Sequence, residues 1–402
     1  MSGRCDVAVI GAGLIGCAAA LNLARRGRRV VVLDQGEINR GASGRNAGSL
    51  HFQIEPRMVD VLLSDPQRLA ELIPVNLQAI EDWKRVPAEL KCDPEIAMHG
   101  GLMLAETDAE HELLLRKLDL ETRAGLTVRV LDAAELHRIA PYLSERIRFA
   151  SFCPDEGHAN PRLVVAAYAA AARAEGVVFQ LRARVESMEP HAGGWRLASR
   201  ASSEADAAAH PAEIFADAVL IAAGAWSREI LRPLGVEVPL TAVGLQMMVT
   251  QRAPQLIGHL VQHMGRRISI KQLEAGNILI GGGWPALLRS PDELGYAADA
   301  ELQEMAMIGS AAVACHTVPA TSELSVIRSW SGIACVAPDH LPVLGAIDSL
   351  PGLFIAAGGA SFTLGPTYAR LISELISEGS ASMPIGLYRA GRFAQPQIAA
   401  VH

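Results

Sequence analysis

No Cys-x-x-Cys pair, no basic stretch longer than "RRGRR" and no internal repeat occurs anywhere in this 402-residue chain. Each absence excludes something. The six cysteines (Cys5, Cys17, Cys92, Cys153, Cys315, Cys335) are scattered, which leaves no ligand set for zinc or an iron–sulfur cluster and fits reduced, buried thiols. Without a basic cluster, and with a net charge of −7 from 36 basic and 43 acidic residues, the sequence offers no nucleic-acid or anionic-membrane surface. A polar, highly charged composition is also missing. Half of the residues are hydrophobic and 20% are charged, so the chain folds into a sizeable core, with length for two or three domains.

One apolar run needs explanation. "VAVIGAGLIGCAAALNLA" has the hydropathy of a signal segment, but only Arg4 precedes it as a basic residue, three glycines punctuate it, and it ends at "RRGRR". A strand–turn–helix unit accounts for those features and a signal peptide does not, so a cytoplasmic protein is expected. Val7 to Ile10 reads as a buried strand, Leu14 to Arg26 as a helix stopped by Gly27, and Val30 to Leu33 as a second strand ending at Asp34. Gly11, Gly13 and Gly16 spell G-x-G-x-x-G: a tight turn, a close backbone approach to pyrophosphate, and close helix–strand packing. Asp34 stands where a carboxylate accepts a ribose hydroxyl. The fingerprint alone does not separate NAD from FAD. The segment that follows, "RGASGRNAGSLHFQ" (Arg40 to Gln53), favours FAD, because its small residues let backbone run beside a larger dinucleotide.

Beyond this unit, Pro56 to about Val86 reads as helical with interruptions at Pro66 and Pro74, and His99 to Thr107 as a strand. Thr107 to Arg123 opens with the N-cap sequence Thr-Asp-Ala-Glu, and Pro161 to Ala174 forms another helix. The polar "ASRASSEADAAAHPAE" is expected to be a hairpin loop. "ADAVLIAAGAWS" is a buried strand, the text from "VPLTAVGLQMMVT" to "ISIKQLEAGNILIGGGW" is antiparallel in style, and "PGLFIAAGGASFTLGPTYARLISELI" is strand, glycine loop and helix. Nucleotide-type elements at the start, middle and end imply a discontinuous cofactor domain with a second domain inserted twice.

On the anchors "VIGAGLIG", "GASGRNAGSL", "PDEGHANP", "VLIAAGAWS", "RSWSGIACVAPDHLPVLG" and "GLFIAAGGASFTLGP", the chain resembles the D-amino-acid oxidase/glycine oxidase/sarcosine oxidase family of FAD-dependent oxidoreductases. Within that family the wording is most similar to catalytic β subunits of heteromeric dehydrogenases acting on opines (octopine, nopaline) or D-hydroxyproline. The resemblance implies an α/β (α+β) fold. A Rossmann-like FAD-binding domain would take residues 1–88, 150–228 and 327–402, and an inserted antiparallel-sheet substrate domain residues 89–149 and 229–326. Gly11, Gly13 and Gly16 would hold the FAD pyrophosphate, and Asp34 with Gln35 the adenosine end. Ser43, Gly44, Arg45 and Asn46 would line the pyrophosphate, and Ala47, Gly48 and Ser49 would run on toward the ring. The backbone of Val185 would meet the adenine, and Ala223, Gly224 and Trp226 would sit at a strand end beside the cofactor. Gly358, Gly359, Thr363, Leu364 and Gly365 would place backbone donors and a helix N-terminus near the flavin pyrimidine, where reduced flavin gathers negative charge.

The departures from the family pattern matter as much. Simple amino-acid oxidases often carry Gly-Leu-Arg-Pro, whose Arg clamps substrate carboxylate; here the text is Gly332-Ile333-Ala334-Cys335. The cysteine that attaches FAD in the sarcosine oxidase branch is replaced by Gly332, so FAD is expected to be non-covalent. A frequent Gly-His is here Gly358-Gly359. Candidates for the substrate pocket are His51, Lys271 and Trp330, with His158 less so. His51 either meets substrate or ring or is a packed histidine. Lys271 either replaces the lost carboxylate anchor or faces water, and Trp330 is pocket wall or core. Arg45 binds phosphate or forms a surface pair. The implied chemistry is oxidation of a C–N bond to an imine that water hydrolyses. Three readings stand: a dehydrogenase passing electrons to partner subunits with iron–sulfur or flavin centres; a stand-alone oxidase using O2; and a flavin-binding scaffold without catalysis.

Overall fold

The computed structural model describes residues 2–201, 212–290, 294 and 298–393. Most of the polar loop expected between Ala198 and Glu213 lies at 202–211, outside the described residues. Two large sheets organise the rest. The opening strand Ser2–Ile10 is central to the first, pairing in parallel with Val30–Leu33 on one side and Glu213–Ile221 on the other. The order across this sheet is 343–346, 353–357, 213–221, 2–10, 30–33, 178–180, with the hairpin 183–191/194–201 joined to 213–221. Parallel strands buried on both faces need crossover helices to cover them. Leu14–Arg25, Pro161–Ala174 and Gly365–Glu378 supply that cover, packing helix on helix.

Glycine spacing sets the first turn. Gly11 adopts φ +113°, and a Cβ on Gly16 would lie 1.9 Å from the Gly11 carbonyl oxygen, so neither position admits a side chain. Gly365, expected to serve the flavin, also sits at a close helix contact, though a softer one: its Cβ would lie 2.8 Å from Leu14 Cδ2, a side-chain end.

The second sheet runs 285–286, 241–252, 277–281, 269–272, 260–263, 101–105, 149–153, 129–131, and 326–336 also pairs with 241–252. The strands Phe149–Cys153 and Val326–Val336 thus fall in this sheet. It is antiparallel except where Leu260–His263 runs parallel to Gly101–Ala105. The helix Asp108–Arg123 begins with a capping box: Thr107 accepts from Glu110 N–H, and Glu110 from Thr107 N–H.

The helix Pro66–Leu90, started by Pro66 and capped by Asp65, with Pro74 and Pro87 inside it, packs against the helices Gly365–Glu378 and Pro161–Ala174. The expected break at Pro74 does not occur. An internal proline costs about 3 kcal/mol, and burial of Ile73, Val75, Ala79, Ile80, Trp83 and Val86 along this helix offsets that cost. Trp83 then ties it to the C-terminal glycine loop through Nε1–H to the Thr363 carbonyl at 2.6 Å.

Candidate active site

At the carboxyl ends of the parallel strands lies a cavity of about 1090 Å³, bounded by both sheets. That is just above the range of ordinary ligand pockets, roughly 300–1,000 Å³, and suits a ligand as large as a dinucleotide. Its floor is the first turn. The helix Leu14–Arg25 makes its first main-chain bond from Cys17 N–H to the Gly13 carbonyl, so the preceding N–H groups have no helical acceptor. Ser43 Oγ accepts from Leu14 N–H at 3.0 Å, while the Ile15 and Gly16 N–H groups of the helix's first turn, without a helical acceptor, suit an anion. Asp34 accepts from Ala12 N–H and Gly36 N–H, both at 2.7 Å, and burial raises its pKa against those two bonds. Val185, Gln35, Ala223, Gly224 and Trp226 line the same cavity, as do Asn46, Gly358, Gly359 and Thr363.

Other expected cofactor residues stand back from it. Gly16 and Gly365 pack elements together, and Leu364 caps the last helix. Ala47 does not line the cavity, and Gly48 abuts the Ala159 carbonyl. Gly44 lies instead on a second cleft behind the segment. Arg45 lines both spaces; its guanidinium pairs with Asp299 at 2.6 Å, the surface-pair alternative. Trp330 is placed neither in the substrate space nor in the core. It lines the second cleft, held there because its indole N–H donates to the Arg45 carbonyl at 2.8 Å.

His51 lines the cavity, and behind it runs a hydrogen-bonded chain joining the second sheet, through Ser269 and Lys271, to the short strand Ser49–Leu50. Lys271 Nζ meets Ser49 Oγ at 2.7 Å, Ser49 Oγ meets Ser269 Oγ at 3.1 Å, and Ser269 Oγ meets His51 Nε2 at 3.2 Å. His51 Nδ1 is buried and has no partner among the described residues. Lys271 is 2% exposed and does not line the cavity, so it does not face water. Burial draws its pKa down to about 7. Burial, and then the Lys271 charge, draw His51 down to about 3, which leaves the imidazole neutral at pH 7. His158 pairs across from Ser49, outside the cavity, and is likewise drawn down to about 3 by burial, with Lys271 and His99 adding to it. Ser269 was not among the sequence candidates; only its alternation with Lys271 on one strand hinted that both point the same way.

Cys335 lines the cavity, but burial pushes its thiol up to about 12, far from a nucleophilic thiolate. All six cysteines are free.

Comparison with known proteins agrees with this geometry. The family model "FAD dependent oxidoreductase" matches residues 6–375. An opine oxidase subunit of Rhizobium meliloti is 25% identical, covering 98% of each chain, and glycine oxidase of Geobacillus kaustophilus is 27% identical with the same coverage. In fold, L-proline dehydrogenase from P. horikoshii superimposes with a TM-score of 0.84 at 23% identity, covering 98% of this chain and 99% of that one. An anion-receptive first turn, a carboxylate at the second strand end and a cavity of dinucleotide size fit FAD, and the chain belongs to the FAD-dependent oxidoreductase family.

Proposed function

We propose that this chain is the catalytic subunit of a dehydrogenase that oxidises the C–N bond of a secondary amino acid, an opine such as octopine or nopaline, or D-hydroxyproline. The electrons then pass to partner subunits carrying further redox centres. The first sheet serves as the cofactor domain and the second as the substrate domain. FAD, held non-covalently, supplies the two-electron acceptor when bound.

The observation that carries this reading is the chain from His51 to Lys271. An amine must be neutral before its Cα–H leaves with the electron pair. With Lys271 uncharged, each hydroxyl can donate toward Nζ and Nε2–H toward Ser269, which leaves the buried, unpartnered Nδ1 as the ring atom that takes the ammonium proton once substrate seats against it. The proton moves along Ser269 and Ser49 to Nζ. Lys271 acts through its neighbours and is a positioning and proton-holding residue, while His51 is the group that meets substrate. The imine so formed is hydrolysed by water. Full-length similarity to an opine oxidase subunit supports the opine and multi-subunit parts of the reading, as does the absence of an Arg at the Gly332–Cys335 position.

A second reading, a stand-alone oxidase making peroxide, is favoured by the equally full-length similarity to glycine oxidase. One experiment separates them. The purified flavoprotein is mixed anaerobically with octopine, nopaline, D-hydroxyproline and glycine, and the flavin band at about 450 nm is followed. Bleaching by an opine or D-hydroxyproline, with slow re-oxidation in air, is the expected result. Rapid peroxide formation supports the second reading, and no bleaching by any amine overturns both.

A further inference from the structure

Behind the segment Arg40–Arg45, on its side away from the cofactor cavity, lies a second cleft of about 850 Å³. Five arginines line it, Arg40, Arg45, Arg162, Arg173 and Arg328, against a single acidic residue, Asp299. Asp299 is engaged by Arg45 at 2.6 Å, and Arg173 lies over the Phe179 ring at 4.9 Å. The side chains of Arg40, Arg162 and Arg328 are exposed and make no ion pair or hydrogen bond among the described residues. In a chain whose net charge is −7, so one-signed a concavity is a local reversal, and it focuses field on anything acidic that approaches.

The rim is apolar. Leu302 lines the cleft at 39% exposure, and Val326 and Ile327, 45% and 61% exposed, come immediately before Arg328. Met305, three residues after Leu302, is 75% exposed. A small free anion satisfies guanidinium groups but leaves such a rim uncovered. A polypeptide with carboxylates and apolar anchors covers both.

We propose that this cleft is the docking surface for an acidic segment of a partner polypeptide, and that electrons leave the cofactor cavity across the Arg40–Arg45 segment. Arg40, Arg45 and Asp299 line both spaces, so one stretch of chain separates the two. The inference rests on the reading that electrons pass to a partner subunit.

The test uses the flavin-loaded full chain and a fluorescein-labelled twelve-residue peptide of alternating glutamate and leucine. Fluorescence anisotropy is measured in low and high salt, against the double variant Arg162→Glu/Arg328→Glu. Salt-sensitive binding to the wild-type chain, weakened more than about tenfold in the variant, is expected, while the flavin spectrum and its bleaching by amine stay unchanged. Three results overturn the proposal: no salt-sensitive binding; equal binding by the variant or of a lysine–leucine peptide; or full displacement by millimolar inorganic phosphate, which would make this a small-anion site. Bleaching of the wild-type flavin by amine without peptide binding sinks the docking surface and leaves the C–N oxidation standing.

Discussion

Lys271 carries its amine in the folded chain at a pKa of about 7, against an ordinary 10.5, because burial disfavours its charge. Two outcomes follow from the sign of that shift. The anaerobic bleaching rate rises as pH passes through about 7 and the amine becomes able to take a proton, and Lys271→Met loses that inflection while still binding flavin. The stability effect runs the same way. Between about 7 and 10.5 the unfolded chain holds a proton that the folded chain does not, so stability increases with pH across this window, by about 1.4 kcal/mol per pKa unit at most. Urea midpoints taken from pH 6 to 10 therefore climb more steeply in the wild-type chain than in Lys271→Met. Equal slopes would show that Lys271 titrates normally.

Among elements, the critical joint lies just after His51. Phe52 N–H and Gln53 N–H donate to Glu156 Oε1 at 2.7 and 2.9 Å, and Ile54 N–H donates to Glu121 Oε1 at 2.6 Å. Lys117, wholly buried, donates to Gln53 Oε1 and Glu121 Oε2, both at 2.9 Å. One helix, one turn of the Phe149–Gly157 region and the His51 segment are thereby locked together in a dry interior, where half of an ion pair is worse than none. Lys117→Met leaves Glu121 buried without its cation and costs about 3–5 kcal/mol, read from urea unfolding. Lys117→Met/Glu121→Gln keeps an acceptor for Ile54 N–H without the charge and recovers part of the loss. A double variant no better than the single one would show that charge is not what the site balances. None of this was legible in the sequence, because its members come from three separate segments. The same reason hid Ser269, and it hid the arginine cleft, whose five arginines are spread from position 40 to 328 and lie outside "RRGRR". The first turn was legible because its constraint is local: glycine spacing, a helix and a strand end within thirty residues. Pro74 misled for the opposite reason, since a local preference gave way to tertiary burial.

For the whole molecule, the cofactor is the piece that spans both sheets. The cavity takes Gly11, Asp34 and Val185 from around the first sheet and Leu245, Ile333 and Cys335 from the second, so a ligand filling it holds the two against each other. Gly332 stands where a covalent cysteine is expected, and the Cys335 thiol is kept protonated by burial. On the proposal that FAD is held non-covalently, acid precipitation releases all the flavin into the supernatant; flavin in the pellet would mean a covalent bond. A ligand that binds only the folded chain stabilises it by about 2.7 kcal/mol at a hundredfold excess over its Kd. The deflavinated chain thus melts at a temperature that climbs with added FAD. FMN, which lacks the adenosine that Asp34 and Val185 are placed to meet, produces a much smaller rise. If FMN raised the melting temperature as far as FAD does, the adenosine end of the cavity would contribute nothing to holding the sheets together.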